Sequence, residues 1–182
     1  MKIGVISDTH GSLDAWKKAR KGLFSDIDIL IHAGDIFNHG PFNPLPKGYS
    51  PKELGEELNS LDIPIIASRG NCDCACDTLI AKFPIQSPYA FLQTDSCRIL
   101  VNHGDELTEQ DMVGLAKDWG VNIFVFGHTH RPKLAYDGDV VLLNPGSPAL
   151  PKEEPTVGMV FVEDNEIEIK VYNLETEEVL LE

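Results

Sequence analysis

Five apolar runs in this chain are each followed directly by a short polar motif, and this alternation constrains the fold more than any other feature. Each run has the length and composition of a buried strand. Helical patterns separate the first strands, as in an α/β fold. Open α/β sheets bind ligands at the carboxyl ends of their strands, so the five motifs are expected to converge on one cleft. The motifs are Asp8-Thr9-His10, Gly34-Asp35, Gly70-Asn71, His103-Gly104 and Gly127-His128-Thr129-His130.

The length of 182 residues predicts one domain spanning residues 1–182. A hydrophobic fraction of 42% and a charged fraction of 24% are ordinary for a globular protein. No apolar run approaches the roughly 20 residues that cross a bilayer, and the chain starts with a strand pattern where a signal peptide would stand. We therefore expect a cytoplasmic protein with no membrane partner.

The formal net charge of −14 disfavours nucleic acid as a partner. Such a field repels long polyanions, and the sequence contains no basic stripe, so duplex nucleic acid is not an expected substrate. A short oligonucleotide is not excluded. Four cysteines do not form a disulfide framework, because Cys72, Cys74 and Cys76 are crowded together and Cys97 lies far away, so reduced thiols are expected.

The periodicity predicts βαβ units followed by a β-rich half, with two packed sheets and helices outside them. Ser12 and Thr108 are predicted N-caps, and Ser50 with Glu53 is a predicted capping box with Pro51 at the first helical position. Residues 72–82 could form a short helix, and 136–139 a hairpin turn. Strands are predicted at 2–7, 28–33, 63–67, 88–94, 97–102 and 121–126, and helices at 13–24, 51–60 and 109–119.

The five motifs together supply two Asp, one Asn and four His as candidate metal ligands. Imidazole combined with carboxylate or amide oxygen suits Mn²⁺, Fe²⁺, Zn²⁺ or Ni²⁺, whereas Mg²⁺ and Ca²⁺ prefer more oxygen. Seven ligands are too many for one ion with an open position. Two ions about 3.5–4 Å apart, bridged by one carboxylate and a water, would use them all.

Charge then points to the substrate class. Two divalent ions outweigh the two carboxylates of Asp8 and Asp35, so the centre attracts an anion. Metal ions also depress the pKa of bound water toward ~7, which generates a hydroxide nucleophile. A phosphodiester monoanion matches both properties, and small phosphodiesters are the expected substrates.

The motifs resemble those of the calcineurin-like metallophosphoesterase superfamily, whose pattern is D-x-H, G-D, G-N-H-D/E, H and G-H-x-H. The resemblance runs from Asp8 to His130, and the segment 144–147 (NPGS) is similar to a late turn of the group. Among its members the chain most resembles the small YfcE-type phosphodiesterases, which share the R-G-N-C-D form of the third motif and a similar loop at 38–49. The resemblance implies a four-layer α/β/β/α sandwich.

It also implies a role for each candidate ligand. Asp8, His10 and His130 would hold the first metal, and Asp35 would bridge. Asn71, His103 and His128 would hold the second metal. Two Mn²⁺ ions are the implied cofactor, with Zn²⁺, Fe²⁺ or Ni²⁺ as alternatives.

Cys72 departs from the broad superfamily pattern, which has histidine after the Asn ligand. That histidine would protonate or stabilise the leaving oxygen, and a thiol with an ordinary pKa near 8.5 is a poor substitute. We therefore expect phosphodiesterase activity with weak activity on phosphomonoesters, and assign Asn71, His103 and Cys72 as catalytic residues. A thiolate metal site with Cys74 and Cys76, or simple packing of small thiols, are the alternatives.

Asn38 and His39, in the 38–50 loop, and Arg69 are candidate substrate-binding residues. A plain surface loop and surface ion pairing are the alternatives. His32 is either a hydrogen-bonding neighbour of the centre or a buried structural residue. Two functions compete with the phosphodiesterase, namely a non-catalytic scaffold on the same fold and a nuclease acting on short oligonucleotides. Association into a homo-oligomer is left open.

Overall fold

The computed structural model describes residues 1–164 and 166–182, which contain twelve β-strands and three α-helices. The helices are α1 (Leu13–Lys21), α2 (Pro51–Asn59) and α3 (Glu109–Trp119), and a 3₁₀ helix spans Ala75–Leu79. The strands are β1 (Lys2–Ile6), β2 (Ile29–His32), β3 (Ile65–Ser68), β4 (Ile85–Gln86), β5 (Ala90–Gln93), β6 (Arg98–Val101), β7 (Ile123–Val125), β8 (Pro132–Asp137), β9 (Val140–Pro145), β10 (Thr156–Glu163), β11 (Glu166–Asn173) and β12 (Val179–Leu181).

The strands form two mixed sheets. The seven-stranded sheet has the order β12-β11-β10-β1-β2-β3-β4, and β1 to β4 run parallel. The five-stranded sheet has the order β5-β6-β7-β9-β8, in which β6, β7 and β9 run parallel. Each polar motif follows one of these parallel strands, so the parallel pairing brings the motifs of each sheet to one edge.

Three apolar cores separate four layers, which confirms the predicted α/β/β/α sandwich. Val5 and Ile31 of the larger sheet pack against Val101 of the smaller sheet in the central core. Trp16 of α1 and Leu54 of α2 cover the outer face of the larger sheet. The outer face of the smaller sheet is covered by α3, where Met112 and Ala116 contact Phe124.

Two of the three predicted helix caps are confirmed. Ser12 Oγ accepts a hydrogen bond from the amide of Ala15 at 3.2 Å, and Thr108 forms a reciprocal capping box with Asp111. The capping box predicted at Ser50 is wrong. Its hydroxyl donates to the carboxylate of Glu53 at 2.7 Å and accepts no amide of the first turn.

Smaller details also differ from the sequence prediction. The short helix predicted within 72–82 is the 3₁₀ helix, and the predicted hairpin turn joins β8 to β9. The two-residue strand β4 was too short to give a periodic signal. In the described part of the chain, none of the helices is both long and apolar enough to cross a membrane.

Candidate metal centre

The candidate ligands from both sheets meet where the carboxyl ends of the parallel strands face each other. Asp8 follows β1 of the larger sheet, and His103 follows β6 of the smaller sheet. The two residues approach to 4.0 Å between Asp8 Oδ1 and His103 Nε2. The centre therefore lies across the boundary between the two sheets, and all seven predicted ligands contribute atoms to it.

The first group of donor atoms belongs to Asp8, His10 and His130, all buried. His130 Nε2 lies 3.2 Å from Asp8 Oδ1, and His10 Nε2 lies 3.8 Å from the same oxygen. The two Nε2 atoms are 3.1 Å apart. Three donor atoms that face one point at these distances form a candidate site for one cation.

The second group adjoins the first through Asp35. Asp35 Oδ2 lies 3.7 Å from His10 Nε2 and 3.4 Å from His103 Nε2, so it stands between the two groups. Asn71 Oδ1 lies 3.1 Å from His103 Nε2 and 2.9 Å from His128 Nδ1. Asn71 and His128 are exposed, so the second group faces the open side of the cleft.

Hydrogen bonds to backbone carbonyls fix the tautomers of three imidazoles. His10 donates its Nδ1–H to the carbonyl of Asn38 at 2.7 Å. In the same way, His130 donates to the carbonyl of Leu150 at 2.6 Å, and His103 donates to the carbonyl of Ala33 at 2.8 Å. A carbonyl can only accept, so Nδ1 of each ring carries the proton. The Nε2 lone pair of each neutral ring therefore points into the centre, as ligation requires.

These contacts test whether the residues fit a cation. In their neutral forms, His10 and His130 bring two lone pairs together at 3.1 Å, an arrangement that is repulsive without a positive charge between them. Asp8 Oδ1 is buried and has no hydrogen-bond partner in the described part of the chain. A buried acceptor without a partner is costly, and a divalent cation would satisfy all three atoms. The donor set thus fits the divalent ions that the sequence predicted.

The backbone of the centre is strained. Five of the seven candidate ligands have a left-handed backbone, with φ between +46° and +64°. This region is sparsely populated by residues other than glycine and clusters at functional sites. This conformation could not be predicted from the sequence, because Asp and His occur in both ordinary and left-handed backbone conformations. The five residues are Asp8, His10, Asp35, His128 and His130.

Two glycines leave space for the central carboxylates. A Cβ atom at Gly70 would overlap the carboxylate of Asp35, and one at Gly127 would overlap Ser7 Oγ and crowd the carboxylate of Asp8. Neither position can carry a side chain while the carboxylates keep their places. At both positions it is the close approach of neighbouring side chains that requires glycine.

Asp73 links the ends of two strands beneath the centre. Its Oδ2 accepts from the amides of Asp35 (2.9 Å) and Gly70 (2.8 Å), and its Oδ1 accepts from the amide of Ile36 (2.8 Å). Burial raises the pKa of Asp73 to about 6, against the opposing effect of the amide donors. These contacts show that Asp73 positions the backbone of Asp35.

Other supporting residues come from positions that sequence reasoning missed or left open. Ser147 Oγ donates to the carbonyl of Asp8 at 2.8 Å, which fastens the late turn to the first motif. His32 is buried, and its Nε2 lies 2.9 Å from Thr9 Oγ1, whose hydroxyl donates to the carbonyl of Ile36. Burial lowers the pKa of His32 to about 3, so it is a neutral residue behind the centre.

The electrostatics of the centre follow from buried groups of opposite charge. Burial alone would raise the pKa of Asp35, but the hydrogen bond and charge of His103 hold it well below its usual range. Burial alone would lower the pKa of His103, but Asp35 and Asp8 outweigh it and raise it to about 9. A proton on His103 therefore occupies the place that a cation would take, because both respond to the same two carboxylates.

The predicted substrate-binding residues have mixed surroundings. Asn38 is committed to other contacts, since its carbonyl accepts from His10 and its amide donates to Asp77 at 3.0 Å. His39 packs edge-on against Tyr49, with 5.4 Å between the ring centroids. Arg69 is exposed and donates through Nε to the carbonyl of Asp73 at 3.1 Å. Substrate contact stays a prediction for all three.

Cys72 lies at the centre itself. Its amide donates to Asp35 Oδ1 at 2.8 Å, and its thiol sulfur lies within 4.8 Å of ligand atoms of His10 and Asp35. Burial and the charge of Asp35 raise its pKa to about 12, so the thiol stays protonated at neutral pH. Cys74 and Cys76 form a separate exposed pair with Sγ atoms 2.7 Å apart, which leaves Cys72 outside that pair.

Two pockets open beside the centre, and Asn71 lines both of them. The first, of about 290 Å³, lies toward the loops after β3 and β6; we call it the polar pocket. The second, of about 200 Å³, lies under residues 40–43; we call it the loop pocket. The polar pocket is lined by Arg69, Gly70, Asn71, Ser87, Pro88, Tyr89, Asn102, Asp105, Glu106 and Leu107.

The chain matches the calcineurin-like phosphoesterase superfamily domain over residues 1–166. It therefore belongs to this superfamily, as the motifs predicted. Within it, the chain is 37% identical over 154 residues to the phosphodiesterase YfcE of Escherichia coli strain K12, which covers 84% of this chain and 82% of that protein. The family relationship implies divalent metal ions.

Solved structures agree with this relationship. The structure of the E. coli phosphoesterase YfcE superposes with a TM-score of 0.85 at 33% identity, covering 99% of this chain and 97% of that one. Vacuolar protein sorting 29 from Cryptosporidium parvum superposes with a TM-score of 0.75 at 19% identity, covering 100% and 95% of the two chains. At that identity the second match shows a shared fold alone.

Proposed function

We propose that the protein is a dinuclear metal-dependent phosphodiesterase that acts on small phosphodiesters. The observation that carries the proposal is the position of Asp35, whose Oδ2 stands between the donor group of His10 and that of His103. Two adjacent donor groups joined by a carboxylate are the arrangement used for in-line displacement at phosphorus. The 37% identity to the phosphodiesterase YfcE supports the same substrate class.

Asp8, His10 and His130 would hold one cation, and Asn71, His103 and His128 the other, with Asp35 shared. Divalent cations bound here would lower the pKa of a water molecule to supply the nucleophile and would offset the charge of the phosphate. The His and carboxylate donors suit Mn²⁺, with Zn²⁺, Fe²⁺ or Ni²⁺ as alternatives.

The chain itself contributes orientation and exclusion of water. The carbonyl of Asn38 fixes the ring of His10, and the carboxylate of Asp73 fixes the backbone of Asp35. Asp8 is fully buried, so solvent does not compete for its free oxygen. Asn71 and His128, on the open side, lie where an incoming phosphate would first meet the centre.

Cys72 sets the preference for diesters over monoesters. Even with its ordinary pKa near 8.5, a thiol is a weaker acid than an imidazolium with a pKa near 6.5, so it protonates a leaving oxygen less effectively than a histidine would. Diesters with good leaving groups need little protonation, whereas monoesters bring an additional negative charge that a neutral thiol does not stabilise. We therefore expect weak turnover of phosphomonoesters.

Two competing functions are less well supported. A scaffold has no need of a preserved ligand set, yet all seven candidate ligands converge here with their donor atoms aimed inward. A nuclease on long polyanions is disfavoured by the net charge of −14. A short oligonucleotide remains a substrate to be compared in the same assay.

The test compares bis(4-nitrophenyl) phosphate with 4-nitrophenyl phosphate after reconstitution with Mn²⁺. We expect Asp35→Asn to lose at least about 100-fold in kcat/KM on the diester, because both donor groups depend on this carboxylate. Asp62→Asn is the matched control, since Asp62 is exposed and precedes β3 at the opposite edge of the sheet. Unchanged activity in Asp35→Asn would exclude the dinuclear mechanism, and equal turnover of both substrates would exclude the role given to Cys72.

A further inference from the structure

The polar pocket and the loop pocket meet at Asn71. Asn71 is the single candidate ligand in the lining of the polar pocket, whereas the loop pocket includes Asp35, His128 and His130 as well and extends past them to residues 40–43. Asn71 Oδ1 is 3.1 Å from His103 Nε2 and 2.9 Å from His128 Nδ1, so this residue stands at the candidate centre. A phosphorus atom bound beside Asn71 would direct one substituent toward each pocket. A phosphodiester carries two such substituents, whereas a monoester carries one.

We propose that the two pockets hold the two ester groups of the substrate, and that the polar pocket selects an alcohol bearing a positively charged, methylated ammonium group. The inference rests on the proposed function and adds to it the chemical class of one substrate group. At about 290 Å³ the polar pocket suits a small alcohol, since pockets for drug-sized ligands start at about that size.

The charge of the polar pocket favours a cation. Asp105 and Glu106 line it and are exposed, and neither carboxylate has an ion-pair or hydrogen-bond partner among residues 1–164 and 166–182. Arg69 is the single cation in the lining, and its Nε is already bound to the carbonyl of Asp73. Two free carboxylates and one guanidinium repel a second phosphate or a carboxylate and attract an ammonium group.

The remaining lining adds surface for methyl groups. Pro88, Tyr89 and Leu107 contribute apolar atoms to the same pocket. The ring of Tyr89 is held edge-on against Trp119, with 5.2 Å between the centroids. A fixed aromatic ring beside carboxylates is the combination by which proteins recognise quaternary ammonium groups.

The loop pocket differs in each of these respects. Beyond the candidate ligands at its inner end, its lining includes Lys152 together with Gly40, Pro41 and Phe42 from the overhanging loop. Phe42 is 96% exposed, so its ring is available to a flat or apolar ester group. Lys152 is a cation and repels an ammonium group, so the loop pocket disfavours this group. The two pockets therefore orient the substrate, with the ammonium-bearing ester group in the polar pocket and the other ester group in the loop pocket.

The first experiment compares three diesters that share a 4-nitrophenyl leaving group, using the Mn²⁺-loaded protein. Their second alcohols are choline, its uncharged isostere 3,3-dimethylbutanol, and 3-hydroxypropionate, which is anionic. We expect kcat/KM to be roughly 2- to 5-fold higher for the choline ester than for the isostere, within the range that exposed ion pairs provide. The anionic ester should be the poorest. A choline-to-isostere ratio of one or below overturns the proposal.

The second experiment tests whether Asp105 and Glu106 cause the preference for the choline ester. In a protein with both Asp105→Asn and Glu106→Gln, the ratio of kcat/KM for the choline ester to that for the isostere should fall to about one. Asp62→Asn, which changes the net charge far from the centre, should keep the wild-type ratio. A preference that persists in the double variant would overturn the proposal, even if the wild type shows it.

A binding measurement separates this inference from the proposed function. Choline phosphate and 3,3-dimethylbutyl phosphate are titrated calorimetrically into the Mn²⁺-loaded protein, which requires no turnover. Tighter binding of choline phosphate, lost in the double variant, supports the pocket whichever ester group leaves first. If no diester is hydrolysed, including bis(4-nitrophenyl) phosphate, the proposed function fails, and this titration still decides whether the polar pocket selects a cation.

Discussion

Asp73 offers a direct test of how the strand ends beneath the centre are held. Its carboxylate is 3% exposed and accepts three backbone amides, two at Oδ2 and one at Oδ1. Asp73→Ala leaves all three donors without a partner at about 1–3 kcal/mol each, which gives a loss of about 4 kcal/mol after partial hydration. Asp73→Asn can keep the pair of amides at Oδ2 and places its NH₂ group against Ile36 N–H, so it should cost about 2 kcal/mol.

The assay is urea unfolding of the metal-free proteins at pH 8, where a pKa of about 6 leaves Asp73 ionised. We expect the order wild type, Asp73→Asn, Asp73→Ala, from the most stable to the least. The exposed Asp62→Asn should stay within about 0.5 kcal/mol of the wild type. A loss below about 0.5 kcal/mol for Asp73→Ala, or equal losses for the two Asp73 variants, would refute the account of three amides divided between two oxygens.

Three further predictions concern the cations. Asp77→Ala removes the hydrogen bond to the side chain of Asn38, whose carbonyl orients the ring of His10. The affinity for Mn²⁺, measured by calorimetry, should therefore fall at least about tenfold. A loss of stability with unchanged affinity would contradict this. Because the pKa of His103 is raised to about 9 in the metal-free protein, a cation must displace its proton at pH 7. Affinity should therefore rise by up to about tenfold per pH unit and level off near pH 9, and binding without proton release would contradict it. Finally, Mn²⁺ at 100 times its Kd should add about 2.7 kcal/mol for each site, so two filled sites should raise Tm by about 10–20 °C. A Tm insensitive to chelator would show that the ions do not join the sheets.

The strand-end motifs and their convergence could be predicted because each is local. An apolar run fixes a buried strand, and parallel pairing then fixes which ends meet. The caps at Ser12 and Thr108 were predictable for the same reason. The capping box at Ser50 was not, because it depends on the backbone of Ser50, whose φ of −154° and ψ of 75° differ from the extended conformation of Ser12 and Thr108.

Long-range pairing and backbone detail could not be predicted in this way. The antiparallel partner of Ile3 is Val160, and no local pattern specifies a partner so distant in sequence. Substrate binding by Asn38 stays a prediction, but its contact with His10 could not be predicted, because it is made by the backbone carbonyl, a group that every residue has. The role of Asp73 could not be predicted for a similar reason, since it binds backbone amides, which every residue except proline has.

The left-handed backbone of the five ligands has an evolutionary consequence. Aspartate and histidine, together with asparagine, are the residues other than glycine that best tolerate a positive φ, and they are also common metal ligands. If these residues hold the cations as proposed, each of the five positions is under two independent selections, one for coordination and one for backbone shape. A lineage that abandoned metal binding would be released from the first and not from the second. Its substitutions at these positions should drift toward glycine and asparagine, and alanine or valine should appear only after the strand ends themselves had been rebuilt.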